Sequence, residues 1–369
     1  MVRKSLSLGK LFGISVNVDL SWFLVVALLT WSFSVSYYPA EFPNWPTLEY
    51  WLIGAVTALL LFGCVLLHEF GHSFTALHFK IPVTGITLYI FGGISRISEE
   101  PQSAISEFWI TIAGPAVSLA LAGFFALLAP VVTYLLPLLA VVKYLAYANL
   151  LLALFNLIPG FPLDGGGVLM AVVWGITRNR HRAILIASYV GRIVAYLLIL
   201  LGLVQLYSGG IFNGIWTAFI GWFLLDASSG QVQNEKLKIT LQGHPASEAM
   251  SRSYTAVEPD TTLQFLIDQH ILSGSRRSFF VEDHGRVIGM LTLHQVSGIA
   301  RAKLPVTTVA QVMLPLDKLK QIHPDTGLWD AIEQMDQAGV NQLPVLTDER
   351  IVGVLTREDI LSFLKHLPF

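Results

Sequence analysis

Through the first 230 residues, apolar side chains come in long runs rather than in alternation. A helix needs about 20 such residues to cross the hydrocarbon of a bilayer. The runs predict membrane spans at roughly 14–36, 50–79, 104–133, 138–174, 184–207 and 211–227. The fourth is too long for one straight helix and is broken by NLIPGFPLDGGG at 156–167, whose prolines and consecutive glycines cannot continue a lipid-facing helix. Between the second and third runs, GITLYIFGGISRIS (85–98) mixes β-branched and aromatic residues around Gly92 and Gly93. That pattern suits a short hairpin returning toward the membrane, or a plain loop.

After residue 230 the pattern changes to short strand-like and helix-like segments that recur with a period of about 64 residues. SEAMSRSYTAVEPDTTLQFLIDQHILSG aligns with AQVMLPLDKLKQIHPDTGLWDAIEQMDQAG, and SFFVEDHGRVIGMLTLHQV with LPVLTDERIVGVLTREDI. Each copy reads as strand, helix, two strands around a tight turn, then helix. The predicted fold class is therefore an α-helical polytopic membrane domain, with six transmembrane helices and a short membrane-associated β-hairpin, followed by an α+β tandem module. The expected divisions are 1–230 for the membrane domain, 231–243 for a polar linker, and 244–303 and 304–369 for the two repeats.

Composition agrees with that split. The 369 residues are 54% hydrophobic and 13% charged, with a mean hydropathy of +0.62, against about 25% charged in soluble domains. Residues 1–230 hold 10 Lys/Arg and 9 Asp/Glu, and the shorter remainder holds 13 and 16. Basic residues alternate from loop to loop: Arg3, Lys4 and Lys10 first, none at 37–49, Lys80 and Arg96 next, none at 134–137. Arg178, Arg180 and Arg182 then follow, none at 208–213, and finally Lys236 and Lys238. By the positive-inside rule both termini face the cytoplasm. The N-terminal stretch lacks a small-residue cleavage site and reads as a first membrane helix rather than a removable signal. The net charge of −2 and the lack of a basic face argue against a nucleic-acid partner. The single cysteine, Cys64, excludes an internal disulfide.

Inside the second run stands LLHEFGHSF (66–74). His68 and His72 are four apart and share one helix face, with Glu69 at its border. An ionisable residue within a span costs about 2.5–3.5 kcal/mol on insertion scales, so three together need a compensating partner, and a divalent cation supplies one. The spacing is that of two imidazoles holding a metal beside a glutamate that serves as base. A catalytic zinc wants a third protein ligand and one open position. Asp164, in the break of the fourth run, is the candidate at similar depth. Another divalent ion would also suit this donor set. TIAGPAVSLA (111–120) reads as a small-residue face for close helix packing.

HEFGH in one span and NLIPGFPLDGG in a later one resemble the site-2 protease family of intramembrane zinc metalloproteases, over about 230 residues. The resemblance implies one zinc per chain on His68, His72 and Asp164, Glu69 as the base, and Asn156 orienting substrate or stabilising the oxyanion. It also implies an edge strand near 85–98 and a transmembrane protein as substrate. The repeats, VGVLTRED above all, are similar to a tandem pair of CBS domains, which often bind adenine nucleotides and associate into homo-oligomers. That resemblance implies phosphate and ribose contacts at Thr356 and Asp359, while the first copy keeps Thr292 but has Gln295 at the aspartate position. Two other classes stay open from the residues alone: a transporter, which should show repeats among its spans, and a silent zinc-binding scaffold.

Overall fold

The computed structural model describes residues 5–90, 92–271, 278–347 and 350–366. The chain forms two compact units, Met1–Glu235 and Lys236–Phe369.

The first unit opens not with a membrane helix but with two strands, β1 (Ser5–Leu11) and β2 (Ile14–Asp19). This corrects the expected first span, which was placed from residue 14. The segment ISVNVD alternates apolar and polar residues, the period of a strand, and buries Ile14, Val16 and Val18. Helix α1 (Leu20–Glu41) starts only where Asp19 caps it, accepting from Ser21 N at 2.9 Å. Helix α2 (Thr47–His78) follows and ends where Lys80 takes a left-handed φ of 63°. The chain then turns into β3 (Val83–Tyr89) and β4 (Gly92–Ile97).

The hairpin expected at 85–98 is thus present, and it is half of a larger sheet. The four strands lie in the order β1-β2-β3-β4, with β2 and β3 parallel and the outer pairs antiparallel. Ile14, Val16, Ile86 and Leu88 pack one face of this sheet on Phe70 of α2. β4 lies at the sheet's edge.

Five further helices follow. Helix α3 (Ala104–Leu128) begins at a capping box in which Ser103 and Ser106 exchange hydrogen bonds at 3.1 and 3.2 Å. The long fourth run resolves into α4 (Leu136–Asn156) and the shorter α5 (Asp164–Thr177), separated by the Pro-Gly turn. Helices α6 (Arg180–Tyr207) and α7 (Ile211–Gln242) follow. Six of these helices are long and apolar enough to cross a membrane, and α5 is the shorter one. Their outward Leu, Phe and Tyr side chains, such as Leu127, Tyr207 and Phe212, stay exposed. An oily exterior of this kind fits lipid rather than water. Helix α3 packs against α2, α4 and α5, which brings the elements of the site together. The stretch 231–243, read as a linker, is helical as far as Gln242.

In the second unit, β5 (Ala256–Val257), β6 (Ser278–Asp283) and β7 (Arg286–Thr292) belong to the first repeat. They share a sheet with β8 (Leu314–Pro315), which belongs by sequence to the second. Conversely Ser251, from the first repeat, bridges to Val354 on β10 (Arg350–Thr356), the partner of β9 (Gln342–Thr347). Each repeat therefore lends a short segment to the other's sheet, and neither completes its sheet alone. Short helix α8 (Leu293–Ser297) closes the first repeat, while α9 (Leu328–Ala338) and α10 (Arg357–His366) cover the second.

Candidate metal centre

His68 and His72 project from one face of α2 into contact with Asp164, the first residue of α5. His68 Nε2 lies 3.1 Å from Asp164 Oδ2, His72 Nε2 lies 3.4 Å from Asp164 Oδ1, and the two Nε2 atoms are 3.2 Å apart. Both histidines are buried. Ligand atoms about 2.0–2.2 Å from a tetrahedral zinc stand about 3.3–3.5 Å from each other. The three donors thus stand within a few tenths of an ångström of the spacing of a zinc shell, and three protein ligands leave one position open.

The other nitrogen of each ring is anchored. His72 Nδ1 lies 2.7 Å from the carbonyl oxygen of Ile110. A carbonyl only accepts, so Nδ1 carries a proton, and Nε2 is the nitrogen left facing Asp164 and His68. His68 Nδ1 lies 2.8 Å from Ser118 Oγ. Ile110 and Ser118 are both on α3, and between them Gly114 faces the rings so closely that a Cβ there would overlap His72 Nε2. The segment 111–120, read as a packing face, therefore does more. Its glycine makes room for the histidines and its serine holds one of them. The sequence offered no more than a serine four residues after a glycine in an oily helix, which reads as packing.

Asp164 is set by the turn before it. Phe161 N donates to Ala187 O at 3.2 Å, and Leu163 N to Gly160 O at 3.1 Å. Ser228 Oγ on α7 donates to the Phe161 carbonyl. That carbonyl passes so close to α6 that a Cβ at Gly191 would overlap it.

Glu69 points toward the sheet. Ser95 Oγ on β4 donates to Glu69 Oε2 at 2.8 Å, and Gly93 abuts the Glu69 side chain. Asn156 is the last residue of α4, eight before Asp164, and half-buried. Its side chain makes no hydrogen bond among the described residues. His78 ends α2, two turns of sequence from His72 and outside the donor cluster. In the second unit Thr356 and Asp359 bond each other: Thr356 Oγ1 donates to Asp359 Oδ2 at 2.7 Å and accepts from Asp359 N at 3.0 Å. Thr292 Oγ1 donates to Gln295 Oε1 at 2.8 Å in the same way. Gln295 keeps the cap that the aspartate makes in the other copy.

Two imidazoles and a carboxylate that could hold a metal ion, with a glutamate next to one of them on the same helix, stand among six helices long and apolar enough to cross a membrane. The profile of peptidase family M50 matches residues 56–137 and 133–201, and the CBS-domain profile matches 246–299 and 309–366. A Synechocystis sp. protein named for a candidate zinc metalloprotease, sll0528, is 32% identical over 99% of this chain and 96% of its own length. Rip3 of Mycobacterium tuberculosis, named likewise, is 33% identical over 98% of this chain and 93% of its own. Among solved structures, a site-2 protease from Methanocaldococcus jannaschii is similar over 62% of this chain and 95% of its own, with 24% identity and a TM-score of 0.44. The chain belongs to peptidase family M50, the site-2 protease family of zinc metalloproteases, and carries a tandem CBS pair. It is an integral membrane zinc metalloprotease.

Proposed function

We propose that the enzyme cleaves peptide bonds in or near the transmembrane segments of membrane-protein substrates. The observation that carries this reading is the convergence of His68, His72 and Asp164 at 3.1–3.4 Å, with Glu69 alongside on the same helix. His68, His72 and Asp164 would hold one zinc per chain. Bound there, zinc would act as a Lewis acid on water and on the scissile carbonyl. Glu69 takes the proton of the attacking water and returns it to the leaving amide nitrogen. Asn156, whose amide has no partner among the described residues, donates to the developing oxyanion. Ser118 and the Ile110 carbonyl keep the imidazoles in register.

A helical substrate hides its carbonyls in internal hydrogen bonds, so it must unwind to be cut. An unwound segment can add to the open edge of β4, whose backbone supplies alternating donors and acceptors. β4 is adjacent to Glu69 through Ser95, which supports that docking site. The loop charges support cytoplasmic termini. The chain then divides into a protease domain over 1–230 and a regulatory module over 244–369. The CBS pair gates the protease, through an adenine nucleotide at Thr356 and Asp359 or through assembly into a homo-oligomer. Because the Asp359 carboxylate already caps α10, a ribose must share or displace that bond.

The function is tested by reconstituting the full chain in liposomes with single-span substrates and mapping products by mass spectrometry. Cuts within or beside the span are expected. Cuts confined to soluble flanks, at the rate of a protein-free control, refute the reading. AMP and ATP added to the same assay should change the rate; no binding and no change would end the nucleotide arm.

A further inference from the structure

The proposed base is not an isolated carboxylate. Glu69 and Ser73 are four apart on α2 and share a face. Ser95, on β4, reaches both: its hydroxyl lies 2.8 Å from Glu69 Oε2 and 3.1 Å from Ser73 Oγ. It also lies 3.2 Å from the Glu69 main-chain oxygen, which seats it over one residue of the helix. Ser73 is fully buried and Glu69 nearly so. A serine hydroxyl has one proton to give, and a carboxylate is the stronger acceptor. The chain of donors therefore runs from Ser73 to Ser95 to Glu69.

The geometry points to Ser95 as a positioning residue for Glu69, through which the strand that receives substrate also sets the orientation of the base. This rests on the proteolytic reading above. A glutamate has several rotatable bonds and only some of its rotamers face the metal ligands. The hydrogen bond from β4 restricts which rotamer Glu69 adopts. Residues 93 and 95 lie on the same face of β4, and both meet Glu69. Ile94, between them, is exposed. A substrate segment that pairs with the β4 backbone steadies that backbone and, with it, the Ser95 hydroxyl. Docking and base orientation are then one event. A poorly docked segment meets a base that is less well aimed.

The test uses full-length, zinc-loaded enzyme with one single-span substrate, measuring kcat, KM, zinc content and thermal midpoint. Ser95→Ala should lower kcat about tenfold to hundredfold, the worth of a hydrogen bond to a charged group. KM, zinc content and midpoint should hold. Ser95→Thr, which keeps the hydroxyl and suits a strand, should recover most of the rate. In a Glu69→Gln background, Ser95→Ala should leave the residual rate where it was. Wild-type kcat in Ser95→Ala overturns the inference. So does a loss that comes with raised KM, lost zinc or a lowered midpoint, or that threonine does not recover. An unmutated enzyme that cleaves nothing overturns the proteolytic reading instead, so the two failures are separable.

Discussion

Gly114→Ala is the sharpest single perturbation of the centre, because it adds one methyl group and no charge. A Cβ at this position would lie 2.6 Å from His68 Nε2 and 2.6 Å from His72 Cε1, and would overlap His72 Nε2 outright. Ordinary van der Waals contact begins at 3.4 Å. Either both rings retreat by about 1 Å, or α3 moves away from α2 by a similar amount. The second route also carries off Ser118 and the Ile110 carbonyl, which hold the outer nitrogens at 2.8 and 2.7 Å. A misplacement of about 1 Å in a catalytic constellation costs on the order of 100-fold in rate, or about 2.7 kcal/mol. Disturbed partners of ligating histidines cost a further 10- to 100-fold, roughly, in metal affinity. Purified Gly114→Ala should therefore contain well under one zinc per chain after dialysis and should cleave at least about 100-fold more slowly. The assays are elemental analysis for zinc against protein and cleavage of a single-span substrate. Stoichiometric zinc with wild-type kcat would show that the rings are not packed against Gly114, and the argument from this close approach would fail.

Three further outcomes follow from other contacts. Ser118→Ala removes the partner of His68 Nδ1 and should weaken zinc binding about 10- to 100-fold, read by competition with a chromogenic chelator; unchanged affinity counts against the anchor. Gly191→Ala puts a methyl group against the Phe161 carbonyl and should displace the turn that carries Asp164, lowering both zinc content and kcat; an enzyme with full zinc and full rate would show the turn held elsewhere. Thr356→Ala removes the hydroxyl that bonds Asp359 N and should cost about 0.5–2 kcal/mol, seen as a lower midpoint for the CBS transition in denaturant; an unmoved midpoint contradicts the cap.

The meeting of His68, His72 and Asp164 was largely legible in the sequence because HEFGH puts three ionisable groups within five residues of an oily helix, where their cost makes them conspicuous. Asp164 was legible for the same reason, as an acid in a break within a span. The residues around them were not. Ser118, Ser95 and Gly114 are small side chains in apolar surroundings, and each alone reads as packing. Their roles arise from which element faces which, and the hydrogen bonds concerned span 26 and 50 positions of sequence. The N-terminal sheet was hidden differently. ISVNVD runs straight into an apolar helix, and the membrane-length window absorbed it. The parallel pairing of residues 15–18 with 85–88 has no local signature at all. In the CBS module the repeat period identified the two copies, yet the exchange of β8 and Ser251 between their sheets depends on three-dimensional closure. Asn156 was legible only through family resemblance, and its place at the end of α4 adds proximity in sequence to Asp164 and nothing more.

The most direct measurement is zinc content and cleavage made on the same preparations of wild type and Glu69→Gln. The account predicts one zinc per chain in both and cleavage by the wild type alone, because His68, His72 and Asp164 hold the metal while Glu69 moves the proton. Wild type without bound zinc, or a Glu69→Gln variant that cleaves as fast as wild type, would contradict it.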